Sequence, residues 1–158
     1  MVGAPIIYYW SHPNTRNTEE VAQRIERELG IEVRHILNSK KEADSPYVLM
    51  TPTYEGKVDA RDPYIPNAVK RWLKASRARR QLIVGVIGTG NLNFGAEYCM
   101  AAKMLCERLR VPLLHRIDVR GDDDDYEILR EGFDDGWDSL VAMRREVVDS
   151  RKIERAAV

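Results

Sequence analysis

Cysteine is scarce in this chain of 158 residues, which contains only Cys99 and Cys106. On one predicted helix the two side chains would lie about two turns apart, too far for a disulfide within that helix. The three histidines, His12, His35 and His115, also lack the spacing of metal ligands. We therefore expect two reduced thiols, as in a cytosolic protein, and no metal site.

The chain also lacks an excess of either charge sign, because 25 Lys and Arg residues balance 25 Asp and Glu residues. This balance gives no support for general binding to nucleic acid or other polyanions. No run of about 18 apolar residues is present, so no membrane span is expected. No basic segment precedes the first apolar run, so we expect no signal peptide.

Apolar runs alternate with amphipathic stretches along the chain, in a composition that is 44% hydrophobic and 32% charged. This alternation predicts an α/β fold, a doubly wound five-stranded parallel sheet in the order 2-1-3-4-5 with helices on both faces. One domain is expected over residues 1–143, with a charged helical extension or tail at 144–158. The predicted strands span residues 5–10, 31–37, 47–51, 81–88 and 111–119, and the predicted helices span 18–29, 67–76, 96–110 and the segment that follows the acidic run 122–125.

The loop after the first predicted strand, residues 11–18, carries hydroxyl and amide side chains before a helix N-terminus. Such groups, with the unpaired N–H groups of a first helical turn, are suited to binding phosphate. The alternative is a polar loop with an ordinary cap, in which Asn17 caps the helix and Glu20 is its partner. The loop has no glycine, which excludes a dinucleotide-binding fingerprint. The candidate phosphate ligands are Ser11, His12, Asn14, Thr15, Asn17 and Thr18.

Two further loops follow strands 3 and 4 and should meet the first loop at the carboxyl edge of the sheet. Tyr54 offers a ring for stacking and Gly56 permits close backbone approach, unless this loop only packs locally. The loop 88–95 holds three glycines, two asparagines and Phe94, so it is either a ligand cradle or a glycine-dependent turn with Phe94 in the core. The candidates here are Thr53, Tyr54, Glu55, Gly56, Thr89, Gly90, Asn91, Asn93, Phe94 and Gly95.

Together the three loops meet the needs of an isoalloxazine ring with a phosphate tail, which are an anion anchor, aromatic walls and backbone partners for the polar edge. The sequence therefore predicts bound FMN, with the flavin and no side chain carrying the chemistry. A receiver domain of the same sheet order is excluded, because it needs acidic residues at the ends of the first and third strands, where this chain has Ser11-His12 and Thr51-Pro52-Thr53.

Three stretches carry a family resemblance. Residues 85–99 read Gly-Val-Ile-Gly-Thr-Gly-Asn-Leu-Asn-Phe-Gly-Ala-Glu-Tyr-Cys, residues 46–54 read Pro-Tyr-Val-Leu-Met-Thr-Pro-Thr-Tyr, and residues 111–116 read Val-Pro-Leu-Leu-His-Arg. Over residues 6–137 the chain resembles the NrdI family, flavodoxin-like proteins that serve class Ib ribonucleotide reductase. The Asn-x-Asn-Phe-Gly pattern at 91–95 is not shared by ordinary flavodoxins.

The resemblance implies FMN, a cytoplasmic location and a redox accessory role instead of a stand-alone enzyme. It implies as partners the dimanganese small subunit of the reductase, an electron-donor reductase and O2. In that family the reduced flavin converts O2 to an oxidant at the superoxide or peroxide level, which assembles the partner's dimanganese-tyrosyl radical cofactor. The alternatives are a general electron-transfer flavodoxin, which the balanced charge disfavours because such carriers are acidic, and a flavodoxin fold used only to bind protein.

The chain departs from the family at two loops. The phosphate loop is longer, so that Asn14-Thr15 or Asn17-Thr18 could take the family position, and the second pair is favoured because it begins the helix. Glu55-Gly56-Lys57 replaces a run of glycines, and the carboxylate of Glu55 near the ring would disfavour an anionic reduced flavin.

Overall fold

The computed structural model describes residues 3–38, 43–54 and 64–156, with side chains described up to residue 151. Its strands are β1 Ile6–Tyr9, β2 Glu32–His35, β3 Tyr47–Thr51, β4 Ile83–Gly90 and β5 Leu113–Asp118. They form one sheet in the order β2-β1-β3-β4-β5, with every pairing parallel, as predicted. The central strands are continuous apolar runs because helices cover both faces of the sheet.

Side chains that alternate along each strand divide the interior into two cores, one on each side of the sheet. The helices are α1 Asn17–Leu29, α2 Asn67–Lys74, α3 Arg77–Leu82, α4 Met100–Leu109 and α5 Asp123–Ala156. Ile7 and Val48 pack with α1 and α5, whereas Tyr8 and Leu49 pack on the opposite face with α2 and α4. Gly30 ends α1 in the left-handed conformation.

The predicted start of the fourth strand at residue 81 is wrong, because residues 77–82 form α3. Ser76 caps this helix by accepting a hydrogen bond from the N–H of Arg79. The short helix buries no side chain, so it has no periodic apolar face that would reveal it in the sequence. The strand β4 runs two residues beyond its predicted end, through Thr89 and Gly90, because these residues pair with β5.

The predicted helix 96–110 begins later, at Met100. A 3₁₀ turn occupies Leu92–Glu97, and Gly95 within it has φ 60° and ψ −124°, which interrupts any helix. Cys99 also lies in the left-handed region, with φ 55°. The loop after β4 therefore leads into α4 through a turn and does not open the helix directly.

The predicted cap of α1 is also wrong. Asn17 is the first residue of the helix, and Arg16 stands at the capping position with φ 52° and without a side-chain cap. The hydroxyl of Ser11 takes over the capping function from the preceding loop, since its Oγ accepts a hydrogen bond from the N–H of Glu19 at 3.0 Å. Glu20 is therefore not the partner of an Asn17 cap.

The acidic run introduces α5, as predicted, through a reciprocal capping box. The N–H of Asp125 donates to Asp122 Oδ1 at 3.0 Å, and the N–H of Asp122 donates to Asp125 Oδ2 at 2.9 Å. Burial raises the pKa of Asp125, but hydrogen bonds from Asp122 and His115 outweigh burial and lower it overall. Within the described part of the chain, no group of three His, Cys, Asp or Glu side chains is placed to hold a metal ion.

The helix α5 continues unbroken past residue 143, where the sequence suggested the end of the domain. Arg144, just beyond that point, is only 5% exposed. Its guanidinium donates to the carbonyl oxygens of Gln81, Leu109, Arg110 and Arg80 at distances between 2.6 and 3.3 Å. None of the helices in the described ranges contains a stretch long and apolar enough to cross a membrane.

Candidate functional site

A cavity of about 680 Å³ opens at the carboxyl ends of β1, β3 and β4. Its position is the one that ligands take in doubly wound sheets, and its volume is that of a small-molecule site. Each of the three predicted loops contributes to it. The lining residues are His12, Thr15, Asn17, Thr18, Pro52, Thr53, Tyr54, Thr89, Gly90, Asn91, Phe94, Glu97, Tyr98, Cys99 and Val119.

Four of the six candidates in the first loop line this cavity, and two do not. Ser11 is buried and directed to the N–H of Glu19, so its hydroxyl supports the helix instead of the cavity. Asn14 is exposed outside the cavity. One residue of the pair Asn14-Thr15 and both residues of the pair Asn17-Thr18 therefore line the cavity.

Asn17 and Thr18 are held in place by partners far away in sequence. The amide Nδ2 of Asn17 donates to the carbonyl of Val119, beyond β5, at 2.7 Å. The hydroxyls of Thr18 and Thr89 share a buried hydrogen bond of 2.7 Å. As the first two residues of α1, Asn17 and Thr18 have backbone N–H groups that find no acceptor within the helix. These groups make this end of the cavity suitable for an anion.

Arg16, which could have added positive charge, is instead directed away from the lining. Its Nε lies 2.6 Å from Glu19 Oε2, and its side chain is 59% exposed. The anion-suited end of the cavity therefore depends on hydroxyl, amide and backbone groups. His12 adds an imidazole ring to the lining at this loop.

The second loop contributes an aromatic wall. The ring of Tyr54 contacts Trp10 edge to face, with ring centroids 5.3 Å apart, and lies 6.2 Å from the ring of His12. Thr53 accepts a hydrogen bond from the N–H of Ala101 at 3.0 Å, which joins this loop to the first turn of α4. The predicted site residues Glu55 and Gly56 lie outside the described residues.

Only part of the predicted site residues in the third loop, which follows β4, lines the cavity. Thr89, Gly90, Asn91 and Phe94 line the cavity, whereas Asn93 and Gly95 shape the turn. Phe94 is 49% exposed, so the alternative that places this ring in the core is wrong.

Two hydrogen bonds fix the shape of the third loop. The side chain of Asn91 accepts one from the N–H of Asn93 at 2.9 Å, and Asp118 accepts one from the N–H of Leu92 at 2.9 Å. The glycine-rich segment is therefore both a specific turn and a wall of the cavity.

Sequence reasoning missed the floor of the cavity, which Tyr98 and Cys99 form beneath Gly90. A Cβ atom on Gly90 would lie 3.2 Å from Tyr98 Cδ2, so the strand and these side chains are closely packed. Burial raises the pKa of Cys99 to about 11, which keeps it a neutral thiol at physiological pH. Burial likewise raises the pKa of Tyr98. Both residues lie within residues 85–99, one of the three stretches that resemble the NrdI family, so that resemblance could have identified them.

The remaining missed lining residues are Pro52, Glu97 and Val119. Pro52 directly follows β3, and Glu97 ends the 3₁₀ turn. Val119 has φ 52°, and its N–H donates to the carbonyl of Gly90 at 2.7 Å. Its loop follows β5, whereas the predicted ligand loops follow strands 1, 3 and 4.

A five-stranded parallel sheet in this order, with a ligand-sized cavity at the carboxyl ends of β1, β3 and β4, defines a flavodoxin-like protein. A short-chain flavodoxin associated with a non-canonical PDU bacterial microcompartment has the same fold. Its structure matches with a TM-score of 0.52 and 16% identity, covering 85% of this chain and 95% of that chain.

Residues 7–131 match the family described as NrdI flavodoxin-like. Protein NrdI of Bartonella henselae is 38% identical over 142 residues, which cover 86% of this chain and 98% of that protein. Protein NrdI of Mycobacterium leprae is 36% identical over 126 residues, which cover 77% and 91%. The chain therefore belongs to the NrdI flavodoxin-like family.

Proposed function

We propose that this protein binds FMN in the 680 Å³ cavity and acts in the cytoplasm as a redox accessory of class Ib ribonucleotide reductase. The observation that carries the proposal is the composition of the cavity wall in a chain of this family. Hydroxyl, amide and helical N–H groups converge at one end, and three aromatic side chains, Tyr54, Phe94 and Tyr98, stand around the rest. A phosphate tail and a planar ring need such a combination.

Thr15, Asn17 and Thr18 would hold the phosphate, with His12 beside them. Tyr54, Phe94 and Tyr98 would contact the ring system, and the backbone near Gly90 would meet its polar edge. Bound FMN supplies one- and two-electron chemistry, including the reduction of O2, that amino-acid side chains cannot. The same proposal assigns Glu55 and Gly56 to the cofactor site.

The chain's own contribution to this chemistry is a rigid, partly apolar environment. The bonds from Asn17 to Val119 and from Thr18 to Thr89 fix the anion-binding end before a ligand arrives. Tyr54 is supported by the edge contact with Trp10, which limits the rotation of its ring. Cys99 stays a neutral thiol and so adds no charge beneath the ring. Such preorganisation reduces the ordering cost of binding.

The finer assignment is that of an oxidant supplier to the dimanganese small subunit, with electrons from a separate reductase. The protein would deliver an oxidant at the superoxide or peroxide level, from which the partner forms its tyrosyl radical. Family membership supports this assignment. The balanced charge of the chain also supports it over a general electron carrier, because such carriers attract basic partners through an acidic surface.

Thr15→Ala should weaken FMN binding by at least about tenfold, since it removes one hydrogen bond to a charged phosphate. The matched control is Asn14→Ala, one position away but outside the cavity, which should leave the dissociation constant within about twofold. Titration of each apo-variant with FMN, followed by quenching of flavin fluorescence, measures both. Equal affinities for the two variants would contradict the assignment of Thr15. An unmodified chain that takes up no FMN would overturn the flavin proposal itself.

The oxidant role is tested by mixing the reduced, FMN-loaded protein and O2 with a manganese-loaded class Ib small subunit. We expect tyrosyl radical, measured by electron paramagnetic resonance, well above the amount formed with an ordinary flavodoxin at the same flavin concentration. The matched flavodoxin controls for free oxidant released into solution. Equal radical yields from the two proteins would defeat the oxidant role and leave general electron transfer as the function.

A further inference from the structure

A second cavity, of about 470 Å³, lies at the opposite edge of the sheet from the first, where α3 leads into β4 and α4 ends. Among the side chains that the structure describes, its lining includes five arginines and no carboxylate. The chain as a whole carries no net charge, so this concentration of positive charge is local. The arginines are Arg77 and Arg80 from α3, Arg108 from α4, and Arg144 and Arg151 from α5.

Two of these side chains form a fixed floor. All three guanidinium nitrogens of Arg144 donate to backbone carbonyls at the ends of α3 and α4. Arg80 donates to the carbonyls of Leu73 and Lys74 at the end of α2, at 2.8 and 3.0 Å. Carbonyl dipoles satisfy these guanidinium groups as hydrogen-bond donors but leave their full charge in place.

The other three arginines, Arg77, Arg108 and Arg151, come from three different helices and form a more exposed rim. Like charges that line one cavity repel one another. Burial, and after it the charge of Arg151, lower the pKa of Arg144. A multiply charged anion would relieve this repulsion, and the planar guanidinium fork matches the oxygens of a phosphoryl group.

We propose that this cavity binds a compact ligand with two or more phosphoryl groups. Its concave shape and volume suit a small polyanion, and its arginines approach from several directions, as needed to surround adjacent phosphoryl groups. The same chemistry is offered by inorganic polyphosphate and by the phosphate chain of a nucleotide. The site is separate from the proposed FMN cavity and does not depend on the assignment of that cavity.

The test is calorimetric titration of the full-length protein, saturated with FMN, with tripolyphosphate, ATP and sulfate. We expect saturable binding of tripolyphosphate and ATP that is at least about tenfold tighter than binding of sulfate. ATP binding more tightly than tripolyphosphate would point to a nucleotide, and equal affinities would point to the phosphoryl groups alone. No saturable binding of either compound would overturn the proposal.

Substitutions of the arginines test whether tripolyphosphate binds in this second cavity. Arg77→Ala combined with Arg151→Ala should weaken tripolyphosphate binding by about a hundredfold, or about tenfold for each guanidinium removed. Arg145→Ala is the control, because Arg145 is an exposed arginine of α5 outside the cavity and its replacement removes one positive charge, half as many as the double variant. The affinity of the Arg145→Ala variant for tripolyphosphate should stay within about twofold of that of the unmodified protein. Equal loss per arginine in the control and the double variant would show a non-specific charge effect and overturn the site.

Discussion

Replacing Arg144 by methionine should lower the free energy of unfolding by about 3 kcal/mol. Methionine keeps much of the apolar stem but removes the guanidinium that donates to four backbone carbonyls. Those carbonyls belong to the ends of α3 and α4, so the substitution leaves the ends of two helices unsatisfied at once. A buried acceptor without a donor costs more than the hydrogen bond contributed.

Urea denaturation followed by tryptophan fluorescence measures this loss. Arg145→Met provides the control, since it makes the same chemical change at an exposed position of the same helix. That control should change the free energy of unfolding by no more than about 0.5 kcal/mol. If Arg144→Met were as stable as Arg145→Met, the carbonyl contacts would have no structural importance and α5 would be a simple surface extension there.

Adding one methyl group to Gly88 should lower the free energy of unfolding by about 2 kcal/mol. A Cβ atom at this position of β4 would lie 2.9 Å from Cys99 Cβ and 3.0 Å from Ala102 Cβ. Both neighbours are short side chains fixed to the backbone, so they cannot rotate away. The start of α4 would have to move, and the floor of the first cavity would move with it. We therefore also expect weaker FMN binding by Gly88→Ala.

The opposite result is expected for Gly136→Ala, where the same methyl group enters open space in the middle of α5. Alanine is the better helix former, so this variant should be more stable by about 1 kcal/mol. Thermal and urea unfolding of the two variants, side by side, compares the same atom added at a crowded and at an open position. A stable Gly88→Ala variant would mean that α4 does not press against β4 as closely as these distances indicate.

Most of the fold could be predicted because its signals are local. The apolar runs of β1, β3 and β4, each long enough for a buried strand, mark the centre of a parallel sheet. What the pattern missed was α3, whose residues Arg-Ala-Arg-Arg-Gln-Leu bury no side chain. The helix exists because Ser76 caps its start and Arg144 binds the carbonyls at its end. Neither contact leaves a periodic signal in the sequence.

The candidate site was likewise predicted only in part. Chain order and turn chemistry were enough to select the loops after strands 1, 3 and 4, and all three line the cavity. They were not enough to select the side chains. Ser11 and Asn14 have the same chemistry as Thr15 and Asn17, yet the first serves the helix and the second faces solvent. The loop after β5 was overlooked, although Val119 lines the cavity and accepts the hydrogen bond from Asn17.

The sequence by itself determined that this chain forms a five-stranded α/β sheet, which loops meet at its carboxyl edge, and to which family it is related. Those properties follow from hydrophobic periodicity, glycine positions and motifs, all of which act over a few neighbouring residues. Only the tertiary structure decided that Tyr98 and Cys99 form the floor of the first cavity, and that five arginines distant in sequence share a second one. The physical reason is that side-chain direction and charge clustering depend on contacts between elements far apart in the chain.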